Sequence, residues 1–134
     1  DEEVDFITGW NGRFDVAKLD GAKVSGRAPN YRITLDGDQI AVWDSSKGRF
    51  AFSKSVLPVL LENKMLPTVD LVEGHTWTGD LFTSNIAGFT GSPCIGDEIL
   101  VLQAGALRGS ARAVASSWEW PAAPGALARA RHRL

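Results

Sequence analysis

The stretch Ile95-Gly96-Asp97-Glu98-Ile99-Leu100-Val101-Leu102-Gln103-Ala104-Gly105-Ala106 decides the fold of this chain. Ile99 to Leu102 is a continuous apolar run held between Gly96-Asp97 and Ala104-Gly105. A short apolar run bounded by turn signals is a buried strand. Arg108 to Ala115 then pairs back on it through a short turn at Ala104–Ala106. Outward from this pair, Val69 and Leu71 alternate with Asp70, Gly79-Asp80-Leu81-Phe82 opens a short turn or helix, and Leu127 to Leu134 makes a last strand. Several short strands at this spacing predict a small barrel.

Before Pro67 the pattern is different. Tyr31 to Leu35 alternates as a half-buried strand, and Asp36-Gly37-Asp38 is a strong hairpin signal. Ile40, Val42 and Asp44 alternate with Ala41 and Trp43 in a second strand, and Arg49 to Phe52 makes a third. Val56, Leu57, Leu60, Leu61 and Met65 then fit a helix face. Ser53 or Ser55 can cap that helix, Pro58 falls in its first turn, and Pro67 ends it. Residues 1–30 read as loops with a short helix near Phe14–Leu19. The expected class is α+β. A small antiparallel sheet with one covering helix occupies residues 1–66, and a β-barrel occupies residues 67–134.

The 134 residues are 44% apolar and 22% charged, which suits a globular chain and not a disordered tail. No apolar stretch approaches the ~18 residues of a membrane span, so no membrane is expected as a partner. Cys94 is the only cysteine, which excludes an internal disulfide and fits a reducing interior. The chain opens Asp1-Glu2-Glu3 without Met, the expectation for a piece of something longer whose catalytic centre lies elsewhere.

Lys plus Arg total 14 against 16 acids, a net charge of -2, whereas non-specific nucleic-acid binders are basic. The distribution is uneven, because Arg129, Arg131, His132 and Arg133 follow one another with no acid after Glu119. On a strand, Arg129, Arg131 and Arg133 share one face about 6–7 Å apart and can track phosphates; as a frayed tail they are merely solvated. Five tryptophans, at 10, 43, 77, 118 and 120, are candidates for base stacking, with Trp43 better placed in the core. Trp118 and Trp120 can share a strand face beside Pro121 or pack against the barrel. His75 and Cys94 make a poor nucleophile pair without a third orienting group, and no ligand pair has the spacing of a metal site. Asp80 and Asp97 each follow a glycine and read as turn residues that bond nearby backbone.

Four stretches carry a resemblance. They are Gly79-Asp80-Leu81-Phe82-Thr83-Ser84-Asn85-Ile86, Ile95 to Leu102, Arg108-Gly109-Ser110-Ala111-Arg112-Ala113-Val114-Ala115-Ser116, and Gly125 to Arg133. Together they resemble a PUA domain, the RNA-binding pseudo-barrel named after pseudouridine synthases and archaeosine transglycosylases. The resemblance spans Pro67 to Leu134. It is nearest to the C-terminal region of archaeal tRNA-guanine transglycosylase and archaeosine synthase, where a small accessory domain like residues 31–66 precedes the PUA domain. One departure is that Thr83-Ser84-Asn85-Ile86 stands where the family reads A-P-G-V, so Asn85 would take the left-handed backbone of the missing glycine.

The resemblance implies a PUA-like β pseudo-barrel and an RNA surface over the loop Gly79–Asn85 and the first and last strands. Backbone N–H groups near Gly79 and Thr83 would meet phosphate or ribose, with Asp80 in the same loop. Thr83, Ser84 and Asn85 would supply neutral hydrogen bonds, some of them to the 2′-hydroxyl. Arg129, Arg131 and Arg133 would bind phosphates, and Phe82 would anchor the loop in the core. The implied role is RNA binding, with tRNA first, as the C-terminal region of a larger cytoplasmic tRNA-modifying enzyme. The region would position the RNA and perform no chemistry, with no catalytic residue, metal or cofactor of its own. The implied partners are RNA, the parent's catalytic domain and a second copy in a homodimer. The alternative is a structural module that packs against the parent's catalytic domain or another subunit.

Overall fold

Asp36 and Gly37 both take positive φ (51° and 85°), the backbone of a two-residue hairpin turn whose twist matches its strands. That turn joins β2 (Arg32–Leu35) to β3 (Asp38–Asp44), with Leu35 opposite Asp38. Across a second turn, where the Asp44 carboxylate accepts the Ser46 N–H at 3.1 Å, β3 pairs with β4 (Arg49–Phe52). A strand that the sequence pattern did not show, β1 (Ala22–Ser25), completes an antiparallel sheet in the order β1-β2-β3-β4. Its four residues lie between Gly21 and Gly26, which read as loop punctuation. The computed structural model describes Phe14 and residues 16–134, with the backbone alone at Ala17. Trp10 and the turn signals at Gly9 and Asn11-Gly12 lie outside the described residues, and the expected helix near Phe14–Leu19 is a 3-10 turn over Val16–Lys18.

A bulge in β3 shifts the side-chain alternation. Ile33 faces Ala41 while Thr34 faces Gln39, so Ile40 is an extra residue. Ile40 and Ala41 are consecutively buried, and Val42, expected on the same face as Ile40, is exposed. Phe50, opposite Trp43, and Phe52, opposite Ala41, fill the core on this side, with Phe14 4.8 Å from Phe52.

The expected helix over Val56–Met65 is shorter. A 3-10 turn over Lys54–Val56 leads into α1 (Leu57–Glu62), with Leu57 and Leu60 fully buried. Pro58 does lie in the first turn, but neither serine caps the helix; Ser53 Oγ and Ser55 Oγ lie 3.3 Å apart, and Ser53 makes no capping bond. Nor does Pro67 stop it. Lys64 turns left-handed (φ 52°), and the N–H groups of Lys64 and Met65 donate to the carbonyls of Leu61 and Leu60. That two-bond closure ends the helix before the proline is reached.

The described residues fall into two compact units, the first ending at Met65 and the second beginning at Leu66. The second holds β5 (Thr68–Leu71), β6 (Ile86–Thr90), β7 (Glu98–Gln103), β8 (Ala106–Ala113) and β9 (Ala128–Arg133), in the order β6-β5-β7-β8-β9. Among the described strands only β5 and β7 run parallel. Val69, Leu71, Ile99, Val101, Ala111 and Ala113 point into one core with Leu81, Trp120, Leu127 and Ala128. Leu81, between β5 and β6 in the chain, bridges to Ala128 at the start of β9 and so nearly closes the sheet on itself. The result is a β pseudo-barrel in an α+β chain.

Candidate nucleic-acid interface

The loop Gly79–Asn85 is fixed from beneath by Leu81. This side chain is fully buried, its N–H donates to the Ala128 carbonyl at 2.9 Å, and its carbonyl accepts from the Leu127 N–H at 2.7 Å. The residue that anchors the loop in the core is therefore Leu81. Phe82, expected to do so, is 45% exposed. Each strand-like step reverses the side chain, so burying Leu81 turns Phe82 outward.

Asn85 closes the loop with its side chain. Its Oδ1 accepts the Phe82 N–H at 3.0 Å, and its own N–H donates to the Phe82 carbonyl at 2.9 Å. Asn85 does not take the left-handed backbone; among the described non-glycine residues only Asp36, Lys64 and Ala104 do. Thr83 Oγ1 donates to the Trp120 carbonyl at 2.7 Å, and the Gly79 carbonyl accepts the Trp77 indole N–H at 2.6 Å. Asp80 and Ser84 are exposed. The loop thus combines a rigid frame with outward polar groups at Asp80 and Ser84. The hydroxyl of Thr83 and the Oδ1 of Asn85 are already spent on holding it.

The three arginines of β9 part company. Arg129 faces Arg112 and His132 faces Ser110, but Ala130 faces Ala111, so Arg131 is an extra residue in a bulge. Arg133 faces Gly109, on the other side of the sheet from Ser110 and Arg112. The shared face expected from strict alternation does not exist. Gly109 permits this crowding, because a Cβ there would run into the His132 carbonyl.

Each arginine has its own surroundings. Arg131 Nε donates to Glu98 Oε1 at 3.1 Å, and Ser110 Oγ donates to Glu98 Oε2 at 2.7 Å. The Glu98 side chain is wholly buried and that of Arg131 is 24% exposed, so this guanidinium balances a buried carboxylate. Arg129 is exposed and follows the residue bridged to Leu81, which sets it beside Asp80 of the loop. Arg133 is exposed at the far end of β9, roughly 13 Å along the strand from Arg129. Glu98 was the residue that sequence reasoning missed; its signal was a carboxylate at the head of an apolar strand.

The two late tryptophans do not share a strand face. They lie on a 3-10 segment, Ser117–Ala122, with Trp120 buried and Trp118 80% exposed. Three residues per turn puts neighbours two apart on different sides. A small apolar cleft beside this segment is lined by Thr83, Ile86, Phe89, Trp120 and Pro121. Elsewhere, Asp97 behaves as a turn residue, its Oδ2 accepting the Cys94 N–H at 2.9 Å. The Cys94 thiol donates to the Ser92 carbonyl, and His75 contributes its carbonyl to the Gln103 side chain. Among the described residues no three His, Cys, Asp or Glu converge as metal ligands, and no helix is long and apolar enough to cross a membrane.

No family model matches the chain. No curated protein matches it either. Solved structures do. A crystal structure of a protein of unknown function is similar over 85% of this chain and 41% of its own length, at 18% identity and a TM-score of 0.64. A conserved PUA domain protein from Thermoplasma acidophilum is similar over 98% of this chain and 89% of its own, at 19% identity and a TM-score of 0.61. A PUA domain from Aeropyrum pernix K1, solved with tartrate, is similar over 78% of this chain and 62% of its own, at 21% identity and a TM-score of 0.54. At these identities the likeness is one of architecture, and the chain has the fold of PUA domain proteins, with a β pseudo-barrel as its second unit.

Proposed function

We propose that this chain binds RNA through the loop Gly79–Asn85 and the adjoining start of β9. In this proposal it is the C-terminal region of a larger cytoplasmic tRNA-modifying enzyme of the transglycosylase or archaeosine-synthase kind. It holds the tRNA while the parent's catalytic domain performs the reaction. Residues 1–66 are an accessory domain and residues 67–134 are the RNA-binding domain. The observation that carries the proposal is the Leu81–Ala128 bridge, which sets exposed Arg129 beside a rigid polar loop on a PUA-type fold. Phosphate meets Arg129, and the backbone around Gly79, Asp80 and Ser84 meets ribose and phosphate. Thr83 and Asn85 shape the loop from within. Arg133 reaches a more distant phosphate, and Arg131 acts through Glu98 on the strand itself.

The test is binding of tRNA at several salt concentrations, against tRNA trimmed of its 3′ end and a DNA duplex. With Arg129 and Arg133 as the exposed arginines of β9, log K falls against log salt with a slope of about -1 to -2. Arg129→Glu weakens binding to every RNA and makes that slope shallower by about one. Wild-type protein that binds no RNA even at low salt would instead assign the chain to packing against its parent or a second copy.

A further inference from the structure

We propose that Trp118 is a stacking platform for an unpaired nucleobase, so that the RNA bound here presents a single-stranded nucleotide and not only a duplex. This inference rests on the RNA-binding reading above. Its first support is presentation. Every neighbour of Trp118 is tied down. The Ser117 N–H donates to the Pro93 carbonyl at 2.8 Å, Glu119 Oε2 accepts the Ser116 N–H at 3.1 Å, and the Trp120 indole N–H donates to the Ala115 carbonyl at 2.9 Å. Yet Trp118 itself is 80% exposed. At three residues per turn it shares the outward side with exposed Pro121, while Ser117 and Trp120 turn inward. The backbone that carries the indole is already ordered, so covering the ring with a flat partner costs only its own two side-chain torsions.

The second support is continuity. The segment that carries Trp118 accepts a hydrogen bond from Thr83 of the loop, at the Trp120 carbonyl. Loop and segment are therefore joined directly. The third is charge. The chain carries a net -2, and Arg131 is committed to Glu98, so few phosphates can be neutralised. Affinity must come largely from contacts that do not depend on ions, and base–aromatic stacking supplies about 1–3 kcal/mol per base. Only an unpaired base or the end of a helix offers a free face, and the overhanging and blunt-ended probes separate the two.

The experiment compares wild type, Trp118→Ala and Trp118→Phe on two probes, a two-stranded RNA duplex with a single-stranded 3′ overhang and the same duplex blunt-ended. Affinity is read by fluorescence anisotropy. Circular dichroism and size-exclusion chromatography check fold and oligomeric state. The expected result is a preference of wild type for the overhang. Trp118→Ala loses roughly 5- to 150-fold on that probe, the equivalent of one stacked base at about 1–3 kcal/mol. It changes little on the blunt probe, and Trp118→Phe keeps most of the affinity. Equal binding by wild type and Trp118→Ala overturns the inference and leaves RNA binding in place. So does an equal loss in the Phe variant, and so does a changed oligomeric state with unchanged RNA affinity, which would make Trp118 a protein contact. Wild type that binds neither duplex overturns the RNA reading and this inference with it.

Discussion

Glu98 heads an apolar strand with its carboxylate out of reach of water, and Arg131 is in place to balance it. Removing one member of a buried pair costs about 3–5 kcal/mol when both are fully enclosed, and Glu98 keeps the Ser110 hydroxyl, which lowers the figure. Arg131 keeps a quarter of its side chain in solvent, so Arg131→Ala is expected to cost about 3 kcal/mol, at the low end, measured by urea unfolding. Arg129→Ala, on an exposed position two residues earlier, should stay within about 0.5 kcal/mol of wild type. The two substitutions thus separate an arginine that holds the fold from one available to a ligand. Their difference was not legible in the sequence. Alternation along Ala128–Arg133 placed Arg129, Arg131 and Arg133 together, and nothing local marks Arg131 as a bulged residue. The bulge arises from the pairing with β8, where Gly109 lets the two backbones close in.

The hairpins were the most legible elements. Asp36-Gly37 and Ala104-Gly105 each supply a two-residue turn, the first with the residue pair such turns favour. Ala104 is the weaker choice, since its Cβ makes a φ of 49° unfavourable. Ala104→Asn should therefore stabilise the β7–β8 hairpin by about 0.5–1 kcal/mol, seen as a higher urea midpoint with an unchanged slope. Strand β7 and its return β8 were legible because a continuous apolar run this short, closed by turns at both ends, is long enough for a strand and too short for a helix. β1 and β6 were not. Four residues between glycines, and Ile86-Ala87-Gly88-Phe89-Thr90 with its central glycine, lack the signal of a strand until a partner supplies the ladder. The helix was legible but its end was not, because apolar spacing continues to Met65 while the backbone turns at Lys64. In the loop, the apolar pair Leu81-Phe82 gave no hint which side chain goes inward; the bridge to Ala128 decides it.

At the scale of the chain, a net charge of -2 and a split arginine row mean that the proposed RNA binding is expected to depend more on shape than on ions. The composition alone argues against nucleic acid and the basic end of the chain for it, and only part of that basic strand is exposed. The two units also differ in how far apart in sequence their contacts lie. In the first, every described strand pairs with its immediate neighbours in the chain. In the second, β5 must find β7 in parallel, and Leu81 must find Ala128 after β7 and β8 have formed between them. Closing large loops before any contact rewards them is slow. Refolding followed by pulsed hydrogen exchange is therefore expected to protect the β2–β3–β4 amides first and those of Leu81 and Leu127 last. The bridge that frames the loop is then the final step of self-assembly, and a chain caught before it would have both sheets but an unformed loop, and so would lack the surface proposed for RNA.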